Sequence, residues 1–217
     1  MMSTCRILAI CFLAAMLVAC DDANNEQASS VDAGPDAGSP DAASDAAEGL
    51  PTTCEGFCRE QSLSVDYGGT SATIERAVYG ITAPDVSDSG EWEIYIEALE
   101  GGFDGCPQQD SPTPDWSLIL SGLPAALADT TLTRADDGLA ATFLDYDGRF
   151  LGEEPFVRAT DVSVTPVAAN IDTELVIDGV DHEDGVVALD VEASFDDGSI
   201  TGHLVATHCA SMDEAGE

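Results

Sequence analysis

Acidic side chains beside glycine are the first residues of this chain that invite a chemical reading. Asp136-Asp137-Gly138, Asp145-Tyr146-Asp147-Gly148, Asp181-His182-Glu183-Asp184-Gly185 and Asp196-Asp197-Gly198 each gather carboxylate oxygens. Oxygen-rich loops are what calcium takes as ligands. Calcium is therefore the one cofactor these residues admit, with Asp145, Asp147, Asp181 and Asp184 as its candidate ligands. None of the four segments follows the EF-hand order of alternating acids, central glycine and closing glutamate. Asp-Gly is also the ordinary hairpin dipeptide, and turn chemistry is the favoured reading in so acidic a chain.

Other chemistry is harder to assemble. His203 and His208 differ by five positions, so a straight strand points them to opposite faces and they cannot share a metal. His182 stands alone in an acidic loop. No GxSxG, HExxH, phosphate-loop or dinucleotide glycine motif occurs. Carboxylate pairs for glycoside hydrolysis can be drawn in dozens of combinations, which deprives any one pair of meaning. Trp92, Trp116, Tyr67, Tyr79, Tyr95 and Tyr146 are the residues that could stack on a sugar. Trp92 shares its strand face with Ile94 and Ile96 and reads as core; Tyr95 falls on the polar face and is the better exposed candidate. The expectation is a non-enzymatic protein with no catalytic residues. The alternatives are a calcium- or carbohydrate-binding module and, behind it, a glycan-acting enzyme.

Seven cysteines divide into two groups. Cys5, Cys11 and Cys20 lie near the beginning, while Cys54, Cys58, Cys106 and Cys209 lie in the later, globular sequence. Four cysteines in an exported protein read as two disulfides with three possible connectivities, and the sequence cannot choose among them. The pairing adopted here sends Cys54 and Cys58 separately to Cys106 and Cys209, because a Cys54–Cys58 bridge closes a very short loop and constrains the unfolded chain least. A zinc site made from all four thiolates is the rival; CEGFC has no matching second pair to support it.

The segment MMSTCRILAICFLAAMLVAC places Arg6 before an apolar stretch from Ile7 to Val18, closed by small residues. That is the plan of a secretory signal peptide, about twelve apolar residues long against the ~20 of a permanent membrane span. Leu17-Val18-Ala19-Cys20 resembles the lipobox of bacterial lipoproteins. The resemblance covers only the first twenty residues. It implies cleavage between Ala19 and Cys20, a diacylglyceryl thioether on Cys20 and acylation of the new amine. Two or more acyl chains anchor stably where one is marginal. Residues 1–19 are thus expected to be a lipoprotein signal peptide, and the protein to sit outside the cytoplasm on the envelope of a bacterium. Asp21 resembles an inner-membrane retention signal that varies between lineages, so inner and outer membrane both stay open.

Residues 20–51 follow as the lipidated cysteine and a run of Asp, Ala, Ser, Gly and Pro with Val31 and Leu50 its only large apolar residues. Such a segment buries too little to offset its ordering entropy and is expected to be a disordered linker with a reach of about 30 Å. Charge sharpens the picture. The chain holds 42 acidic residues against 6 basic ones, all arginine, for a net charge of −36. That field repels phosphate backbones and anionic headgroups, which argues against nucleic acid and makes the lipid on Cys20 the expected hold on the membrane. A protein or glycan partner is left unspecified, and the expected state is a monomer.

Positioning falls to residues 54–217, expected to be one acidic β-rich domain. Period-2 alternation dominates it. Trp92, Ile94, Ile96 and Ala98 oppose Glu91, Glu93, Tyr95 and Glu97. Val187, Leu189, Val191, Ala193 and Phe195 form a second apolar face, and Asp196-Asp197-Gly198 leads into a return strand through Ile200, Leu204 and Ala206. Gly68-Gly69 marks another hairpin, between Leu63–Tyr67 and Ser71–Ile81. Trp116–Leu120, Leu139–Leu144, Phe156–Val164 and Glu174–Ile177 complete eight or nine predicted strands, and Ala125–Ala128 is the one short stretch with helical character. The predicted fold is all-β, an antiparallel β-sandwich, with a closed β-barrel as the alternative.

Overall fold

The computed structural model describes residues 49–215, within one compact unit. Alternation of apolar and polar residues does produce strands. They are β1 (Leu63–Tyr67), β2 (Thr70–Ile74), β3 (Arg76–Thr82), β4 (Glu93–Glu100), β5 (Trp116–Pro124), β6 (Leu132–Thr133), β7 (Ala140–Asp145), β8 (Phe156–Arg158), β9 (Asp161–Asn170), β10 (Val186–Phe195) and β11 (Gly198–His208). The only α-helical pieces among the described residues are two single turns, α1 (Arg134–Asp137) and α2 (Leu175–Asp178). The all-β class expected from the sequence is what forms.

All the strands belong to one hydrogen-bonded sheet, in the order β6-β9-β10-β11-β3-β4-β5-β7-β8, with β1 added to β11 and β2 to β1. The sheet curls over its own core as an open half-barrel, sandwich-like in burying one face, but built from one sheet instead of two. The short strands β6 and β8 end the strand order and do not pair with each other, so the barrel stays open. Every pairing is antiparallel except β11 with β3, which run parallel through Ala206↔Ala77, Thr207↔Val78 and His208↔Tyr79. The concave face holds a single apolar core that draws Leu63, Tyr79, Ile96, Leu118, Phe143, Val164, Leu189 and Leu204 from eight strands.

Two hairpins read from the sequence are present. In the first, Gly68 and Gly69 take φ of 58° and 79°, the left-handed pair that a two-residue turn between β1 and β2 requires. In the second, β10 and β11 pair from Val186↔Thr207 to Phe195↔Gly198, leaving Asp196 and Asp197 alone in the turn. Gly198 is thus a strand residue. A Cβ there would overlap the carbonyl oxygen of Asp66 and come within 2.7 Å of Tyr67 Cα, so this glycine serves the close approach of β1.

Four local expectations are corrected. Ser71–Ile81 is two strands divided at Glu75, because β2 pairs with β1 while β3 leaves to join β4 and β11. Phe156–Val164 likewise divides, β8 pairing β7 and β9 pairing β10. Glu174–Ile177 does not extend: α2 closes there by the Gly179 N–H donating to Leu175 O at 3.1 Å, with Gly179 supplying a left-handed cap at φ 60°. Ala125–Ala128 forms no helical turn, and Ala125 is instead tied back by its N–H to Trp92 O at 2.8 Å.

The disulfides also differ from the adopted pairing. They join Cys54 to Cys58 and Cys106 to Cys209, with Cα separations of 5.2 and 5.3 Å. The 3₁₀ turn Gly56–Arg59 folds the chain back within CEGFC and brings the first pair within bonding distance. With all four sulfurs so bonded, the zinc tetrathiolate is not built. Cys106–Cys209 spans 103 residues and packs with Val78, Leu99, Phe103 and Met212 as a small second core on the convex face.

Loop-closure entropy grows with the enclosed length, so the two bridges should differ in worth. Replacing Cys106 and Cys209 together by serine is expected to cost about 5 kcal/mol, and replacing Cys54 and Cys58 about 2 kcal/mol, in chemical denaturation at 25 °C. Equal losses would show that native strain or packing, not loop length, dominates.

Candidate functional site

The residues with chemical capacity gather in three places, and each is tied to backbone. At the end of β7, the Asp145 carboxylate is buried under the loop that follows it. Its Oδ1 accepts the Arg149 N–H at 3.1 Å, and its Oδ2 accepts those of Phe150 and Leu151 at 2.7 and 2.6 Å. Asp147 Oδ1 also accepts the Arg149 N–H at 3.1 Å. Burial pushes the Asp145 carboxyl upward, but the amides of Leu151, Phe150 and Arg149, with the Asp147 side chain, outweigh it and hold the group below its ordinary value. The loop so fixed brings Phe150 edge-on to Trp116 at 5.3 Å and to Phe143 at 5.4 Å, while the Arg149 guanidinium lies 5.0 Å above the Trp116 ring. Asp145 therefore closes one end of the core.

At the parallel β11–β3 junction, His208 is buried with its ring 5.2 Å from that of Tyr79. Its Nδ1 accepts the His182 N–H at 2.9 Å and its Nε2 donates to Asp213 Oδ1 at 3.1 Å. The same Asp213 oxygen accepts the Ile81 N–H at 2.9 Å. Carboxylate and imidazole are thus paired as in a hydrolase, but the free ring nitrogen is taken by a backbone amide, so no hydroxyl or thiol can be activated there. Burial, then the charges of Asp213 and Asp172, hold the Tyr79 phenol well above its ordinary value, and its hydroxyl donates to Asn170 O at 3.3 Å. This cluster fastens the last segment of the chain to β3.

Where the chain enters the domain, a cleft of about 660 Å³ opens between Glu55, Arg59, Glu75, Glu183, Asp184 and Thr207. Four carboxylates and one guanidinium line it, and the guanidinium Nε donates to Cys54 O at 2.6 Å. The lining favours cationic over anionic groups. On the far side of the Cys54–Cys58 loop, His203 lies opposite Asp190 across the β10–β11 ladder, Nδ1 to Oδ1 at 2.7 Å, and its Nε2 lies 2.9 Å from Cys58 O. His203 faces outward and His208 inward, as their spacing on one strand requires.

The candidate calcium ligands are not brought together. Asp145 and Asp147 share one loop, whereas Asp181 Oδ1 accepts the Ala210 N–H at 2.8 Å and Asp184 lies at the entry cleft. Among the described residues no three His, Cys, Asp or Glu side chains are grouped to hold a metal. Ala19 and Cys20 lie outside the described residues. Of the aromatics, Tyr67, Tyr79 and Trp116 are core, Trp92 packs against the core from just outside β4, and Tyr95 is half-buried. Tyr146, 49% exposed, is the more accessible ring, which alternation could not reveal because it lies in a loop.

Tyr95 and Glu97 lie on the convex face of β4, where alternation promised open solvent and the structure half-covers them. Burial, with Glu97, Tyr146 and Glu214 adding negative charge, pushes the Tyr95 phenol up to about 12. Burial likewise lifts the Glu97 carboxyl above the usual carboxylate range; the Ser117 hydroxyl, itself without a hydrogen bond of good geometry, opposes the shift without cancelling it. In comparisons with protein families, characterised proteins and solved structures, nothing matches this chain.

The two carboxylates should respond oppositely to pH. Asp145, lowered in the fold, stabilises above the ordinary Asp range near ~3.9, and that stabilisation is lost as pH falls through its folded value. Asp145→Asn is therefore expected to cost about 2–3 kcal/mol at neutral pH, the gap narrowing as pH falls through the folded value of Asp145. Glu97, raised in the fold, destabilises at neutral pH, and its cost fades as pH falls to the ordinary Glu range near ~4.3. Glu97→Gln is expected to raise the melting temperature at neutral pH and to match the parent in acid; a drop at neutral pH would contradict the assignment.

Proposed function

We propose that this chain is a bacterial lipoprotein: a signal peptide removed before Cys20, two or more acyl chains on that residue, a linker over residues 21–51, and a monomeric, non-catalytic interaction domain held outside the cytoplasm. The observation that carries the reading is Leu17-Val18-Ala19-Cys20 standing directly behind Arg6 and an apolar stretch too short to span a bilayer permanently. Two disulfides in the domain suit an oxidising compartment and so agree with export. The acidic residues that looked most like ligands are engaged in holding loops, with Asp145 on three amides and Asp181 on one. A partner, protein or glycan, would meet a strongly anionic surface, and the entry cleft favours a cationic group on it.

Mass spectrometry of the mature protein is expected to find Cys20 as its first residue, carrying a diacylglyceryl group. Cys20→Ser is expected to abolish palmitate incorporation and move the protein from the membrane fraction to the soluble one. Mature protein beginning elsewhere, or beginning at Cys20 without acyl mass, would overturn the reading.

A further inference from the structure

His203 stands beside the loop through which the chain enters the domain, and both of its ring nitrogens face acceptors. Nδ1 lies 2.7 Å from Asp190 Oδ1 and Nε2 lies 2.9 Å from the carbonyl oxygen of Cys58. An ionised carboxylate and a backbone carbonyl can only accept. A neutral imidazole carries one N–H and can serve one of them, whereas an imidazolium serves both. His208 on the same strand is the internal contrast. One of its nitrogens meets a donor, the His182 N–H, and the other an acceptor, Asp213, so it is fully satisfied while neutral.

We propose that His203 is a proton-controlled latch on the Cys54–Cys58 loop. Protonated, it pairs with Asp190 through Nδ1 and clamps the loop to the sheet through Cys58 O. The bond to the carboxylate is charge-assisted and the stronger of the two, so the proton that leaves is the one on Nε2. Its lone pair then faces the Cys58 oxygen, and the clamp is lost while the contact with Asp190 survives. The loop remains joined to the sheet beyond this point, since the Ser62 N–H donates to His203 O at 2.9 Å.

The surroundings agree in sign. Asp190 faces the ring from β10, and Glu192 follows it on the same strand face; Glu60 lines the same cleft, of about 460 Å³, from the entering segment. Val167 of β9 and Ser62 ahead of β1 are uncharged. Arg59 is turned to the other cleft, with its Nε on Cys54 O. Among the described residues the charged neighbours of the ring are thus carboxylates, and none is a cation competing with the imidazolium. The loop that the latch controls carries Phe57, whose side chain stands 87% exposed at its apex. Acidity therefore fixes the presentation of an aromatic residue at the place where the chain joins the domain. The geometry stands whether or not Cys20 is lipidated.

The test is a titration of the full isotope-labelled chain by nuclear magnetic resonance from about pH 5 to about pH 8, the range in which histidine charge is set. Three histidines make the imidazole nitrogens simple to assign. His203 is expected to carry protons on both nitrogens at the acid end, with Nε2 giving up its proton first as pH rises. The amides of Glu55 to Gln61 are expected to shift with the same midpoint as His203. Their exchange protection should fall roughly tenfold once that proton is gone, the scale of one lost hydrogen bond. In His203→Gln the loop amides should show no such step, with the β10–β11 amides unmoved. Loop amides that hold still through the titration of His203, or an imidazole that is singly protonated at the acid end, would overturn the proposal. If the variant does not fold, the titration of the unaltered chain decides alone.

Discussion

Three strands depend on β11. One of its edges carries β10 along nearly its whole length, and the other carries β1 over Gly198–Thr201 and then β3 over Ala206–His208. Two strands running in opposite directions share one edge, so the sheet must branch there, and the branch lets it curl. Glycine makes the approach possible. Gly198 would drive a Cβ into the Asp66 carbonyl, and Gly202, at φ 132°, would drive one into the Ser62 carbonyl. No other residue tolerates that proximity without pushing β1 away.

The parallel contact is the least ordinary part and the most heavily secured. Parallel pairing is slightly weaker per residue than antiparallel pairing and gains no support from a tight turn. Here the chain leaves β11, bulges through the 3₁₀ turn Ala210–Met212 over Gly80, and returns so that the Glu214 N–H donates to Ile81 O at 2.9 Å. Cys106–Cys209 pins the start of that detour and the Asp213 carboxylate its end, through the Ile81 amide and His208. A covalent bond, a buried ion–dipole contact and a ring contact with Tyr79 converge on one short junction.

A domain this acidic turns its carboxylates inward as well as outward. Most point to water, where screening by salt moderates their repulsion. Asp145 and Asp213 instead bury their carboxylates, Asp145 on three backbone amides and Asp213 through Oδ1 alone, on the Ile81 amide and His208, while Asp213 Oδ2 is buried without a partner. The scarcity of basic residues explains why. With five arginines after Pro51 and no lysine, buried acids have to find N–H donors in the backbone or in histidine.

Strand period and turn chemistry make part of this molecule legible without its fold. The all-β class, both hairpins, the inward faces of β4 and β10, and the opposite facing of His203 and His208 follow from the two-residue repeat of a strand and from the φ that Gly68-Gly69 permits. Charge and the residue order Leu17-Val18-Ala19-Cys20 are equally local properties. Tertiary structure alone decided what depends on neighbours distant in sequence. Whether Ser71–Ile81 is one strand or two rests on which strands lie beside it. Whether Gly198 turns the chain or admits β1 rests on Asp66 and Tyr67. Whether Cys54 meets Cys58 or Cys209 rests on a 3₁₀ turn with no period to announce it. The covering of Glu97 and the two acceptors around His203 are of the same kind, since alternation names the face a side chain takes and is silent about what lies across from it.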